Sequence, residues 1–357
     1  MILHHSLLDV PGTRTARDRV LAAVEERLRV FLAAERAQWS TVDDRAAVPV
    51  AAVEALAAAG GKRLRPAFCV TGFLAAGGDP ADARVVEAGA ALELLHTSAL
   101  IHDDVLDASP LRRGRPTAHA HYAKVHAEAG WSGSADRFGE NVAILAGDLA
   151  LVYAERLMRG AGDRVVEEWE HLRAELMVGQ YLDVAVAAER VADPELSRWV
   201  AVCKSGRYSI HRPLVLGATA AGRPELASAF QEYGQALGEA FQLRDDLIGA
   251  FGDSETSGKP TSLDLEQQKM TLLLALAVDR DERVRAHVAD GVSADNAQAQ
   301  GEALRALLLA AGVDAEVERR IDALVATAAR AVEAAPIAPA WQRELTVMAG
   351  EVAYRDA

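Results

Sequence analysis

Apolar residues along this chain recur every three or four positions, segment after segment, with no stretch that alternates apolar and polar as a strand does. That period confines the backbone to helices and the fold to helix-on-helix packing. Over residues 14–38 the apolar set is Val20, Leu21, Val24, Leu28, Phe31 and Leu32, with charges on the opposite face, the pattern of an amphipathic surface helix. Further helices are expected at 48–59, closed by Gly60 and Gly61, and at 64–76, stopped by Gly77, Gly78 and Pro80. The next spans 82–107 and breaks at Ser109-Pro110, and 130–139 reads as a loop. Helices follow at 140–158, 164–188, 194–209, 213–221 and 224–251, then a polar loop over 252–264. Shorter helices are expected at 267–278, 281–288, 296–311, 315–332 and 341–348. No repeat and no linker interrupts the series. The expectation is one all-α domain over 1–357, with 1–47 as an N-terminal helical extension.

Composition narrows the function classes. The net charge of −14 makes nucleic acid a poor bulk partner, so an anionic ligand would have to meet locally clustered basic residues. Cys69 and Cys203 sit in apolar surroundings without ligand-like neighbours and read as buried thiols in a reducing compartment. No run approaches 18 strongly apolar residues, so no membrane span is expected. The first residues lack the basic-then-apolar pattern of a secretion signal, and a cytoplasmic location is the expectation.

The strongest local feature is His-Thr-Ser-Ala-Leu-Ile-His-Asp-Asp-Val-Leu-Asp, from His96 to Asp107. Asp103 and Asp107 are four apart, on one helix face and about 6 Å apart along the axis, with Asp104 beside them. Acids on a solvated helix end would be unremarked, but Leu94, Leu95, Leu100, Ile101, Val105 and Leu106 mark this helix as buried. Crowded carboxylates repel one another until cations join them, and oxygen-only ligands suit magnesium. A second cluster repeats the theme at Gln242, Asp245 and Asp246. Position 249, one turn on, is glycine. Asp245 is the first choice for a direct metal ligand, and Asp246 binds through water or orients neighbours. Asp253 supports the following loop or is a plain turn residue.

Basic residues gather near these acids in the sequence. Gly60-Gly61-Lys62-Arg63-Leu64-Arg65-Pro66 places Lys62 and Arg65 at a helix start, where free N–H groups favour an anion. Arg112 and Arg113 follow the first cluster by a few residues, and Lys204, Lys259 and Lys269 are further candidates. His96 is a candidate donor to an anion, while His102 packs or hydrogen-bonds near the metals. Gln180, Asp183, Lys204, Ser205 and Tyr208 put polar groups on otherwise apolar helices, as core hydrogen bonds or as ligand contacts.

Taken in order, these residues resemble the trans-isoprenyl diphosphate synthases, the polyprenyl synthetase family, from about residue 48 to 277. The resemblance implies a helical bundle around a deep central cavity, usually in a homodimer. It implies that Lys62, Arg65, His96 and Arg113 bind isopentenyl diphosphate. Asp103, Asp104 and Asp107 match the first aspartate-rich motif, and Asp245 and Asp246 the second, together holding two or three magnesium ions. Arg112 and Lys259 are then assigned to the allylic diphosphate (dimethylallyl, geranyl or farnesyl), Lys204, Ser205 and Gln242 to substrate binding, and Asp103, Asp104, Asp107, Lys204, Gln242 and Asp245 to the catalytic set. Gly249 departs from the standard second motif, a pattern shared by a bacterial subgroup, and puts the third metal-ligand position in doubt. Ser205 stands where threonine is usual. In the implied mechanism the allylic substrate ionises, isopentenyl diphosphate attacks the cation, and departing pyrophosphate takes the proton. Small Ser98 and Ala99, one turn before Asp103, favour geranylgeranyl diphosphate. A C15 or a C25-or-longer product is the alternative. Less favoured readings are a class I terpene cyclase, which would not need the isopentenyl site, and a noncatalytic subunit, which would be expected to lose acids from the first cluster.

Overall fold

The computed structural model describes residues 11–189, 193–252, 263–266, 268–291 and 296–355. The long elements are α1 (Pro11–Ser40), α2 (Val48–Ala57), α3 (Leu64–Ala75), α4 (Ala83–Leu106), α5 (Ala118–Glu128), α6 (Ala135–Leu157) and α7 (Asp163–Glu189). Next come α8 (Pro194–Ala201), a π-helical stretch (Val202–His211), α9 (Arg212–Ala220) and α10 (Ala227–Phe251). The series closes with α11 (Leu263–Glu266), α12 (Leu272–Arg280), α13 (Glu282–Ala289), α14 (Ala297–Ala310), α15 (Val313–Glu333) and α16 (Pro339–Ala353).

The apolar stripe read on α1 is the buried one: Val20, Val24, Leu28, Phe31 and Leu32 pack with residues of α3, α4, α6 and α7. A second core gathers α9, α10, α12 and α15 around Phe230, Tyr233, Leu237 and Leu274. Helix α3 serves both, with Phe68 in one core and Cys69, Val70 and Phe73 in the other. Cys69 and Cys203 are free and buried. Among the described residues no helix is long and apolar enough to cross a membrane.

The structure departs from the periodic reading at several points, among them α5, where no helix is expected. Strands exist after all: Leu111–Arg112 (β1) pairs antiparallel with Arg115–Pro116 (β2). Two residues per strand are too few to show alternation. The ladder is set by the turn, where Arg113 (φ 52°) and Gly114 (φ 71°) are both left-handed, as a two-residue hairpin requires. Helix α6 starts at Ala135, earlier than position 140, because the Ser134 hydroxyl caps it, accepting from the Arg137 N–H at 3.3 Å. Helix α12 starts later than expected, after a left-handed Gln268 and a cap by Thr271. Finally, α8 and α9 are one continuous rod through the π stretch, on which Lys204 and Tyr208 lie. Gly206 in that stretch meets Gly238 of α10 so closely that a Cβ on Gly206 would fall 2.7 Å from the Gly238 Cα.

Candidate active site

Asp103 and Asp104 lie in the last turn of α4, and Asp107 is its C-cap residue. A helix C-terminus already carries negative partial charge, so three carboxylates there call for cations from elsewhere. Three elements supply partners. Arg112 of β1 donates from Nε to Asp104 at 2.7 Å and from Nη2 to Asp103 at 3.4 Å. Gln180 of α7 donates to Asp103 Oδ1 at 2.9 Å. Lys204 lies 3.3 Å from the same oxygen and 2.7 Å from Asp183 of α7, which Lys269 also approaches, at 3.4 Å.

The acids respond differently to this setting. Burial works to raise the pKa of Asp103, but Lys204, the Gln180 hydrogen bond and Arg112 outweigh it and hold the carboxyl low. Burial likewise works against Asp183, and Lys269 and Lys204 overcome it. Asp104 is pushed up by burial in spite of Arg112. Asp107 is pushed up by burial and by the neighbouring Asp103 charge. Its carboxylate takes no hydrogen bond or ion pair among the described residues.

The hairpin turn sends its two arginines to different partners. Arg112 meets the acids, while Arg113 donates from Nη1 to the carbonyl of Gly60. Gly61 permits this approach: a Cβ there would lie 2.9 Å from the Arg113 guanidinium, and its φ of 146° is one that side chains disfavour. Arg113 thus joins the glycine loop that carries exposed Lys62 and leads into Arg65. The Arg65 guanidinium stacks 4.3 Å from the centroid of the Tyr208 ring, and the His96 ring lies 6.2 Å from that of Tyr208. His96 Nδ1, Arg65 Nε and the Tyr208 hydroxyl are buried atoms with no hydrogen-bond partner. Burial, then the charges of Arg65, Arg113 and Arg112, holds the His96 pKa well below its ordinary value. A neutral histidine amid three arginines, with donors unmatched, is the electrostatic shape of an anion site.

The second cluster sits within α10. Gln242 Nε2 donates to Asp246 Oδ1 at 2.8 Å, and the Leu273 N–H at the start of α12 donates to Asp246 Oδ2 at 3.1 Å. Both Asp246 oxygens therefore have protein donors, and its side chain is buried. Asp245 is exposed and receives a hydrogen bond from Arg355 Nη2. Asp253 and Lys259 lie outside the described residues, as does the side chain of Ser205. Ser98 is buried and Ala99 partly so, directly below Asp103 on α4. His102 turns to α6, within 3.1 Å of the Ile144 carbonyl oxygen.

Two residues that sequence reasoning passed over matter here. Left-handed Arg63 pairs with buried Glu93, donates to the Ala57 carbonyl at 2.8 Å, and so anchors the loop bearing Lys62 and Arg65. Its signal was its place inside the basic motif, with Glu93 one turn before His96. Arg355 carried no signal, being distant in sequence from every motif.

The donors fit a hard dication. They are carboxylate oxygens crowded at a helix end, and Asp107 takes no hydrogen bond or ion pair from a side chain among the described residues. No three acids, histidines or cysteines among the described residues converge closely enough to cage an ion alone. A metal here would keep water or phosphate oxygens in its sphere, as magnesium prefers.

A sequence model of the family described as polyprenyl synthetase matches residues 48–314. The chain belongs to the polyprenyl synthetase family. This is the trans-isoprenyl diphosphate synthase family that the motifs resemble, and its activity is trans-prenyl transfer that lengthens a prenyl diphosphate. Among polyprenyl synthetases, the short chain isoprenyl diphosphate synthase of Methanothermobacter thermautotrophicus is 34% identical over 70% of this chain and 73% of its own. The farnesyl diphosphate synthase of Geobacillus stearothermophilus is 36% identical over 61% of this chain and 72% of its own. A solved geranylgeranyl pyrophosphate synthase from Corynebacterium glutamicum, complexed with isoprenyl diphosphate and magnesium, superposes with a TM-score of 0.86. It is 35% identical, with 95% of this chain and 99% of that one covered. This chain shares the all-α fold of that solved neighbour, and the relatives are named for different products.

Proposed function

We propose that this chain condenses an allylic diphosphate head-to-tail with isopentenyl diphosphate, releasing pyrophosphate and yielding geranylgeranyl diphosphate. The observation that carries this reading is a pair of unlike anion sites joined by one hairpin: Arg112 at the acid cluster and Arg113 at the basic loop. A terpene cyclase has one diphosphate to bind and no use for the second site.

In this reading Lys62, Arg65, His96 and Arg113 hold isopentenyl diphosphate, and the unmatched Arg65 and His96 atoms find their acceptors on it. Arg112 and Lys204 hold the allylic diphosphate, with Ser205, Gln242 and Lys259 assigned beside them. Two or three magnesium ions at Asp103, Asp104, Asp107, Asp245 and Asp246 would supply charge neutralisation for the departing diphosphate. Asp103 keeps Lys204 aimed at that diphosphate, and Gln180 keeps Asp103 ionised and oriented. Apolar Leu95 and Ile101 of α4 form part of the dry core that would keep water from an allylic cation. Small Ser98 and Ala99 leave room for growth past fifteen carbons, the support for a C20 product.

The chain is read as one domain with 1–47 as its extension, acting as a homodimer. Support for the dimer is a run of exposed apolar side chains on α6 and α7, among them Leu145, Val152, Met177, Val178 and Tyr181. The two helices are tied by Trp169 Nε1 donating to Glu155 at 2.9 Å.

The test is incubation with magnesium, isopentenyl diphosphate and each allylic primer in turn, with the dephosphorylated products sized by mass spectrometry. A dominant C20 alcohol is expected. A C15 or C25 alcohol would keep the reaction and overturn the chain length, and a cyclic hydrocarbon without elongation would overturn the reaction.

A further inference from the structure

Two consecutive residues of helix α10, Arg244 and Asp245, grip the last residue of α16 and the chain just after it. Arg244 Nε donates to the Ala353 carbonyl at 2.7 Å while its Nη atoms pair with Glu318 of α15 at 2.8 and 2.6 Å. Between them, Tyr354 donates its hydroxyl to Asp322 of α15 at 2.7 Å. Asp245 then takes the hydrogen bond from Arg355. The Arg355 guanidinium carbon sits over the ring of Phe241 on α10, 4.0 Å from its centroid and one turn before Asp245. Its side chain is only 12% exposed, against 45% for Asp245, and its Nε is buried with no hydrogen-bond partner. A loosely attached surface arginine would keep its donors in water. This one is seated by an aromatic face, by the backbone grip on Ala353 and by one carboxylate oxygen.

We propose that Arg355 is a positioning residue for Asp245: it orients the carboxylate and occupies the oxygen that a divalent cation would otherwise take. The inference rests on the reading of Asp245 as a metal ligand. Metal taking that oxygen must displace the guanidinium, so Arg355 weakens metal binding at the second cluster, and the negative charge of a bound diphosphate offsets that cost. A fixed positive charge a few ångströms away also opposes a dication directly.

The experiment is a Mn²⁺ titration of the full chain, with and without inorganic pyrophosphate, in which free Mn²⁺ is read by electron paramagnetic resonance. Arg355→Gln is expected to tighten the weakest Mn²⁺ site roughly three- to tenfold, more without pyrophosphate than with it. Arg355→Met keeps the stem packed on Phe241 while removing the charge, and serves if the glutamine variant does not fold. Asp245→Asn separates the two readings. If it weakens Mn²⁺ binding while both Arg355 variants leave affinity unchanged or reduced, the role given to Arg355 is wrong and Asp245 remains a ligand. If Asp245→Asn leaves binding unchanged, the ligand role of Asp245 fails and the inference with it.

Discussion

In the first acidic cluster Asp103 and Asp104 are met by side chains from three other elements, and all of those partners are cations or amide donors suited to phosphate. In the second, one acid is spent on the fold: Asp246 joins Gln242 to the N-terminus of α12. The other, Asp245, faces outward under Arg355. The same two letters, Asp-Asp, thus do different work. At the end of a helix they build up negative charge that imported cations must balance. In the middle of one, a buried acid survives only where backbone and side-chain donors satisfy it.

That contrast can be broken most sharply at Asp103 and Asp245. Asp103→Asn is expected to lower turnover roughly a thousandfold, because it loses charge that Lys204 and Arg112 share. Asp245→Asn should cost roughly ten- to a hundredfold. Steady-state incorporation of labelled isopentenyl diphosphate, with circular dichroism as the folding control, reads both, and equal losses would erase the distinction.

Stability should divide in the opposite direction. Asp246→Ala strands the Leu273 N–H and is expected to destabilise the fold by about 2 kcal/mol in urea titrations. Asp245→Ala, on an exposed side chain, should stay within about 0.5 kcal/mol. A large stability loss at Asp245 would mean that its contact with Arg355 is structural first.

One turn below each pair the clusters differ again, with Ser98 and Ala99 under the first and Phe241 under the second. Ala99→Phe should shift the dominant product from C20 to C15 in the sizing assay while leaving total condensation within a few-fold. An unchanged C20 product would place the limit elsewhere.

The smallest effect belongs to His96. Its pKa is low in the folded chain and about 6.5 when unfolded, so its contribution to stability is complete above about pH 7 and is lost as pH falls towards the folded value. His211, held down to about 3 by burial, then by the Arg212 charge, acts with the same sign. A loss of about 1 kcal/mol per histidine by pH 5.5 is expected. His96→Gln should flatten the pH dependence of thermal midpoints by its share. Because bound diphosphate favours protonated His96, isopentenyl diphosphate should bind with proton uptake, seen as buffer-dependent heat in calorimetry.

Much of this site was legible before any coordinates. Asp103, Arg112, Lys204 and Gln180 declare themselves by type and local context, and the structure brings them together. The helices carrying Asp103 and Gln180 follow from apolar periodicity alone. Three things were not legible. Each strand of the hairpin is a single period long, too short to show alternation. The π stretch under Lys204 has the same apolar spacing as an ordinary helix end. Arg355 acquires its partner only through folding, 110 positions away in the chain, where local pattern carries no information.

The backbone contact between Gly206 and Gly238 gives the enzyme a fixed gauge. It presses the rod bearing Lys204 against the helix bearing Asp245 with no side chain between them. Substitutions elsewhere can deepen or shorten a pocket for hydrocarbon, yet the spacing at which the two helices present their charges stays set by touching main chains. Tail length is then free to diverge among descendants while the head-group chemistry is inherited unchanged.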